Sequence, residues 1–424
     1  MGFEQGLSGL EAASQNLSVI GNNVANSGTV GFKSSETLFA DVYANSLNGA
    51  GSNQVGSGVD VESVEQEFTQ GTITSSSNPL DIAINGNGFY QMSDNGTVSY
   101  TRNGQFQLNS SGNIVNAAGD VLQGYAANAA GVLQTGAVTD LQINTANISP
   151  SATTTVDAVL NLNAEATIPA TTPFSATDPT SYNNSSSVTI YDSEGVSHVL
   201  QSYYVLTGDT GGASGTEATW DVYATLGGQP INPAPVNPVD GTASYGPLTF
   251  TSNGMLDPTA SPMPIAVSAT IADGATTPLN FNLNFTGTTQ YGAPFATTTL
   301  SQDGFTSGQL SGFSASANGT IVGTYTNGQS ATLGQIALVN FTDPNGLQNL
   351  GNNEWAATST SGTPLIGVPG TGNLGVLQSS ATEDSNVDLT SQLVNMITAQ
   401  EDYQANAQTI KTEDDLLQTL VTLR

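Results

Sequence analysis

His198 is the only histidine in the chain, so any Ser-His-Asp relay or imidazole-held metal must be centred on it. It closes the run Tyr191-Asp192-Ser193-Glu194-Gly195-Val196-Ser197-His198, which reads as a hairpin turning at Glu194-Gly195 with a strand resuming at Val199. No nucleophile motif lies nearby. Asp192 and Glu194 open like a calcium loop, but glycine falls at its fourth position and the closing glutamate is missing. Gly370-Thr371-Gly372-Asn373-Leu374-Gly375 spells the dinucleotide fingerprint, which has meaning only after a strand and at the opening of a helix. Here Pro369 precedes it and a Gly/Ser/Thr connector follows, so with 47 glycines in the chain a chance match is expected. Glu65 and Glu67 are of the type that serves glycoside hydrolysis, yet among 34 acidic residues solvation is the simpler role. There is no cysteine, which excludes disulfides, thiolate catalysis and zinc-thiolate sites. The expectation is a protein that is not an enzyme, with no cofactor and no metal.

Charge narrows the partners. Lys33, Arg102, Lys411 and Arg424 are the only basic residues, and the formal net charge is −30 over 424 residues. No basic surface can be built to neutralise phosphates, so nucleic acid is not a partner, and anionic membranes fail for the same reason. No run approaches eighteen apolar residues, so no membrane span is expected. Residues 1–20 have neither a basic nor an unbroken apolar region, so a cleaved secretory signal is not expected. Gly6 stands where a myristoylation motif wants Ser or Thr. Charged residues are only 9%, replaced by Asn, Ser, Thr, Gly and Gln as in many secreted β-rich proteins.

The two ends differ from everything between them. Phe3, Leu7, Leu10, Leu17 and Val24 fall on 4-3 heptad spacing, with Ser14 and Gly21 at the skipped positions. From Asn386 to Arg424 there is no Gly or Pro. Within that stretch Leu389, Leu393, Met396, Tyr403, Ala407, Ile410, Leu417 and Val421 keep the same spacing, interrupted by Gln400 and Asp414. The pattern predicts a helix of about 39 residues, roughly 58 Å long, capped by Asp388 or Asn386. One amphipathic helix at each end predicts that the ends pair as a coiled coil; the alternative is two surface helices lying on the body.

Between them the signals are β. Turn dipeptides recur at Asn85-Gly86, Asn95-Gly96, Asn103-Gly104 and Ser111-Gly112, separating short runs such as Phe89-Tyr90 and Phe106-Gln107-Leu108. Similar patterning returns at 320–341, where Ile336, Leu338 and Asn340 should face opposite to Ala337, Val339 and Phe341. The fold class expected is mixed and mainly β, with a coiled-coil domain and two nested all-β domains. The boundaries expected are 1–28 with 386–424 for the helices and 29–70 with 376–385 for an irregular connector. An inner β domain takes 71–149 with 289–375, and an inserted outer one takes 150–288.

Ser8-Gly9-Leu10-Glu11-Ala12-Ala13, Asn16 to Asn26, and Gly31-Phe32-Lys33 closely resemble the flagellar rod and hook axial protein family. Arg102-Asn103-Gly104-Gln105-Phe106, Tyr191-Asp192-Ser193, Leu333-Gly334-Gln335-Ile336 and Trp355-Ala356-Ala357-Thr358 extend the likeness, and residues 385–424 resemble the family's terminal helix throughout. The resemblance is strong at both ends, good in the inner domain and patchy in the middle. It implies an extracellular structural subunit of a helical homopolymer, exported through the flagellar type III apparatus without signal cleavage. The length looks like that of the hook members, which implies a flexible curved tube acting as a universal joint, with terminal helices lining the channel. Implied partners are further copies of the chain, the distal rod protein, the hook cap, the hook-filament junction protein and the export apparatus. Phe39-Ala40-Asp41-Val42-Tyr43 resembles the family's export-gate motif through Phe39 and Tyr43; an amphipathic turn in the connector reads equally well. Glu401-Asp402 replaces the basic residue usual after Ala399-Gln400, which implies contacts between subunits that are chiefly apolar and hydrogen-bonded. Two alternatives stand beside a hook subunit: a distal rod protein, and from another class a secreted adhesin or polysaccharide-acting enzyme.

Overall fold

The computed structural model describes residues 2–42, 56–128, 130–208, 218–231, 244–261, 263–271 and 275–422. They form two compact units, one of Met1–Thr145, Ser311–Thr324 and Ser330–Arg424, the other of Ala146–Leu310 and Tyr325–Gln329. The fold is mainly β, with the two terminal helices packed together.

In the first unit, α1 runs from Gly2 to Ala25 with Glu4 in its first turn, where a carboxylate meets the positive end of the helix dipole. The connector is not irregular. Ser35–Val42 (β1) and Gly58–Gln66 (β2) pair as an antiparallel ribbon from Ser35 opposite Gln66 to Val42 opposite Gly58, with a bulge between Leu38 and Phe39. Val59, Val61 and Val64 alternate with acidic residues there, a strand pattern that the neighbouring Gly/Ser/Asn-rich sequence obscured. The ribbon continues to Ile73–Ser75 (β3), Ile82–Asn85 (β4), Phe89–Asp94 (β5) and Thr97–Thr101 (β6). β5 and β6 form a hairpin whose turn residues Asn95 and Gly96 both have positive φ, 50° and 95°, the geometry that an Asn-Gly pair favours.

Phe89, Tyr100, Val339, Phe341 and Trp355 make a buried aromatic cluster in this unit. Ile336, Ala337, Leu338 and Val339 are all buried, so the return strand expected to show two unlike faces is covered on both. The glycine run 370–375 is a turn between Leu365–Gly367 and Val376–Ser379, and no helix follows it. That is the outcome of a chance match. The last helix, α2, spans Leu389–Thr422. Asp388 caps it: its Oδ1 accepts from the amides of Thr390 at 2.9 Å and Ser391 at 3.2 Å.

The second unit is two packed sheets. In one, Thr155–Asn163 runs parallel to Leu279–Asn284 and Thr289–Tyr291 and antiparallel to Ala296–Gln302. In the other, Asn184–Tyr191, Ser197–Gly208 and Thr219–Leu226 form a meander. Leu160, Leu162, Tyr204, Trp220, Phe250 and Phe285 fill the core between them. Since Thr289–Tyr291 and Ala296–Gln302 pair with Thr155–Asn163, this unit runs to Leu310, past the 288 expected from composition.

Candidate functional site

The terminal helices run antiparallel. Gly6 lies against Ile410, Gly9 against Asn406, and Asn23 Nδ2 reaches Gln392 Oε1 at 3.5 Å. A Cβ on Gly9 would sit 2.7 Å from the Asn406 side chain, which would have to shift to admit it. The in-chain contact therefore uses a frame one residue away from the expected one on α1: Gly6, Ala13, Ile20 and Asn23 are buried, and Gly9 and Asn16 half-buried. On α2 Ala399 is buried, and Gln392, Met396, Asn406, Ala407 and Ile410 are half-buried. Of the expected seam residues, Leu10, Leu17, Val24, Met396, Ala407 and Ile410 are partly covered, whereas Phe3, Leu7, Leu389, Leu393, Tyr403, Leu417 and Val421 are exposed. Small residues, with Ile20 and Ile410, lie at the contact within the chain, while Phe3, Leu7, Leu389, Leu393, Leu417 and Val421 stay exposed.

Lengths make the same point. At 1.5 Å per residue α1 is about 36 Å long and α2 about 51 Å. The excess carries Leu416, Leu417 and Val421, and Val421 is 75% exposed.

The ribbon is strapped to α1. Asn23, 1% exposed, donates from Nδ2 to the Ser35 carbonyl at 2.8 Å and accepts the Ser35 amide at 2.9 Å. Ser8 Oγ accepts the Val59 amide at 3.3 Å, and Gln5 Nε2 donates to the Gly56 carbonyl at 2.5 Å. Trp355 Nε1 donates to Gln66 Oε1 at 2.6 Å, joining the ribbon to the β body. Phe39 is in β1 and exposed; Tyr43, the other residue of the gate-like motif, lies outside the described residues.

At the root of the helix pair lies a buried charge cluster. Glu383, two residues before Ser385 and the turn into α2, accepts Lys33 Nζ at 2.7 Å on Oε1. Arg102 lays its fork on the same carboxylate, with Nε to Oε2 and Nη2 to Oε1 both at 3.1 Å. Further donors are used as well: Lys33 Nζ meets the Thr69 carbonyl at 2.7 Å, and Arg102 Nη1 meets those of Gly86 and Gly88 at 2.9 and 2.7 Å. The Gly71 amide donates to Glu383 Oε1 at 3.0 Å. Gly31 (φ +72°) lets the chain leaving α1 pass this point, since a Cβ there would meet the Asn103 backbone at 2.8 Å. Burial pushes the Glu383 carboxyl up, but the charges of Arg102 and Lys33 outweigh it and hold it below the usual carboxylate range. Burial and Arg102 lower the Lys33 ammonium, with Glu383 opposing them.

The cluster joins α1's exit, the β body and α2's entry. Sequence reading quoted Lys33 and Arg102 as members of separate motifs and missed their common partner. The available signal was their scarcity: they are the only cations before Lys411.

His198 packs into the turn that precedes it. Its Nε2 lies 2.8 Å from Asp192 Oδ2, while Asp192 Oδ1 accepts the amides of Glu194 at 2.8 Å and Val196 at 2.9 Å. Burial pushes the Asp192 carboxyl up, but the His198 contact and those amides bring it below its ordinary value. This is the folding logic of a hairpin turn between Tyr191 and Ser197. Among the described residues no group of three or more His, Cys, Asp or Glu is placed to hold a metal.

Four family models match the chain. Residues 3–33 match the flagella basal body rod protein model and residues 83–192 the flagellar hook protein FlgE/F/G D1 domain. Residues 161–305 match the flagellar basal body protein FlaE D2 domain and residues 378–423 the C-terminal region of the flagellar basal body rod FlgEFG proteins. The chain is 44% identical to the flagellar hook protein FlgE of Escherichia coli K12 over 100% of both chains, and 42% identical to that of Salmonella typhimurium LT2, again over 100% of both. It is 31% identical to the FlgE of Borreliella burgdorferi, over 99% of this chain and 98% of the relative. Among solved structures, the Helicobacter pylori hook protein FlgE2 superposes with a TM-score of 0.52 at 15% identity, covering 73% of this chain and 100% of that one, a likeness of fold. The resemblance read from the terminal motifs is thus confirmed over the full length, and the rod-protein, adhesin and polysaccharide-enzyme alternatives fall away. The chain belongs to the flagellar hook protein family, a non-enzymatic family, and is a structural subunit of the extracellular hook of the bacterial flagellum.

Proposed function

We propose that the chain polymerises through the apolar residues its own helix pair leaves uncovered. Phe3, Leu7, Leu389, Leu393, Leu417 and Val421 form the main seam toward neighbouring copies, with Leu10, Leu17, Val24, Met396, Tyr403, Ala407 and Ile410 bridging the in-chain and between-chain contacts. Leu417 and Val421 carry the reading: they lie on the length of α2 that α1 is too short to cover. Burying one such side chain contributes about 1.5–3 kcal/mol, so two overhanging residues per copy already set a substantial association energy. The helices then line the channel of a tube, and the polymer bends as a universal joint. Its partners are further copies along the tube, the distal rod protein below, the cap during growth, the junction protein above, and the type III export apparatus. Phe39, exposed on the ribbon, fits the first anchor of an export-gate motif. The test is a chain lacking residues 417–424. It should remain folded by tryptophan fluorescence and fail to form sedimentable tubes; tubes formed at the wild-type critical concentration would refute the overhang as the seam.

A further inference from the structure

Two of the four basic residues, Lys33 and Arg102, are buried on Glu383. Arg424 lies outside the described residues, which leaves Lys411 on α2 as the one exposed cation among them. It makes no ion pair there.

A groove of about 570 Å³ opens in the first unit between α2 on one side and α1 with β1 on the other. Glu36, Glu67, Asp388 and Asp402 line it, with Phe39 on its wall. Thr37 also lines it; this residue is 6% exposed, and its Oγ1 has no hydrogen-bond partner among the described residues. The carboxylates are spread along the groove, Asp388 and Asp402 being about 21 Å apart along α2, and together with the buried Thr37 hydroxyl and the Phe39 ring they give it acceptors for an ammonium group and apolar surface for its methylene stem.

We propose that Lys411 of one copy seats in this groove of a neighbouring copy. The inference rests on the self-assembly reading and adds the polar contact that orders it. A chain's own Lys411 cannot reach its own groove from the α2 side: nine residues separate it from Asp402, about 14 Å along the helix and about half a turn around it. A second copy of this chain is the occupant favoured by charge, because Lys411 is the cation each copy holds out and the groove is the anionic recess each copy holds open. The pairing is head-to-tail along α2, between the shaft of one helix and the root of the next, so it propagates rather than closing as a dimer.

The experiment uses the full chain. Lys411→Glu should raise the critical concentration for polymer formation roughly tenfold, and the swap Asp402→Lys with Lys411→Glu should bring it back to within about twofold of wild type. A single variant that assembles like wild type, or a swap no better than the single, overturns the proposal. As the natural chain has no cysteine, Asp402→Cys with Lys411→Cys offers a second readout that does not depend on energetics. Both positions lie on one rigid helix, too far apart for an internal bridge, whose Cα separation is limited to about 7 Å. Oxidised polymers should give a covalent ladder on denaturing gels, and each single-cysteine chain at most dimers. Monomers only, from polymers of the double variant, would overturn the seating. Failure of the wild-type chain to polymerise would instead refute the self-assembly reading beneath it.

Discussion

Glu383→Gln replaces the carboxylate under Lys33 and Arg102 with a neutral group of nearly the same shape. Both cations then stay buried without a counter-charge: the Lys33 side chain is 0% exposed and that of Arg102 is 4%. Removing one partner from a buried ionic group costs about 3–5 kcal/mol, a large part of a domain's total stability of about 5–15 kcal/mol. With a urea slope of about 2–3 kcal/mol per molar, the midpoint should fall by roughly 1–2.5 M. The two tryptophans allow the units to be read separately, since Trp355 is in the first and Trp220 in the second. In a Trp220→Phe background, the Trp355 transition should move while the second unit, followed by Trp220 in the reciprocal variant, keeps its midpoint. The dependence on pH has a definite sign. The folded-state pKa of Glu383 is depressed, so its stabilisation is fully present above the unfolded value of about 4.3 and is lost as pH falls through the lower folded value. Wild type should therefore lose part of its advantage over Glu383→Gln only in strong acid. Replacing Lys33, Arg102 and Glu383 together by methionine should recover much of the loss, because an apolar core of similar volume needs no charge balance. A Glu383→Gln chain within about 0.5 kcal/mol of wild type at pH 7 would refute the reasoning.

Two further outcomes follow from the same geometry. Asn23→Ala removes both hydrogen bonds to the Ser35 backbone and should cost about 1–3 kcal/mol locally. Hydrogen exchange in β1 and β2 should accelerate about tenfold or more while the body's protection stays, and unchanged ribbon protection would count against the strap. Polymer formation should become easier from pH 7 toward about 4.5, or with added salt, because acid lowers the net charge of −30 and the screening length falls to about 8 Å at physiological ionic strength. Glu354, raised by burial and by its neighbour Asp120, should take up its proton ahead of an ordinary glutamate as pH falls. A critical concentration flat in both pH and salt would leave apolar burial as the sole determinant.

The helices at the two ends were legible because their signal is periodic and uninterrupted: no glycine or proline falls between Asn386 and Arg424. The Asn95-Gly96 hairpin was legible because its chemistry is local. Which face pairs within the chain was not legible, since heptad spacing selects large apolar residues and the structure uses Gly6, Gly9 and Ala13 for the close approach. The ribbon was hidden by composition, its short valine alternation lying beside glycine-rich sequence. Glu383 was hidden by distance, being 350 residues from Lys33 and 281 from Arg102. Pairings of that range leave no trace in a local window. Asp388 and Asn386 were both read as caps for α2; Asp388 is the cap, and Asn386 instead accepts the Ser34 amide and donates to the Glu67 carbonyl, both at 2.7 Å.

The position of Glu383 late in the sequence also sets when the charge cluster can close. Synthesis proceeds from the N-terminus, so Lys33 and Arg102 exist long before their carboxylate does. A chain broken anywhere before residue 383 retains both cations but has nothing to neutralise them in the interior, and it lacks the α2 face on which Gly6 and Gly9 settle. Such fragments cannot close the root of the helix pair without leaving charge stranded in an apolar site. The fit therefore needs sequence from both sides of the β body, and a chain ending short of Glu383 carries two cations that its interior cannot neutralise.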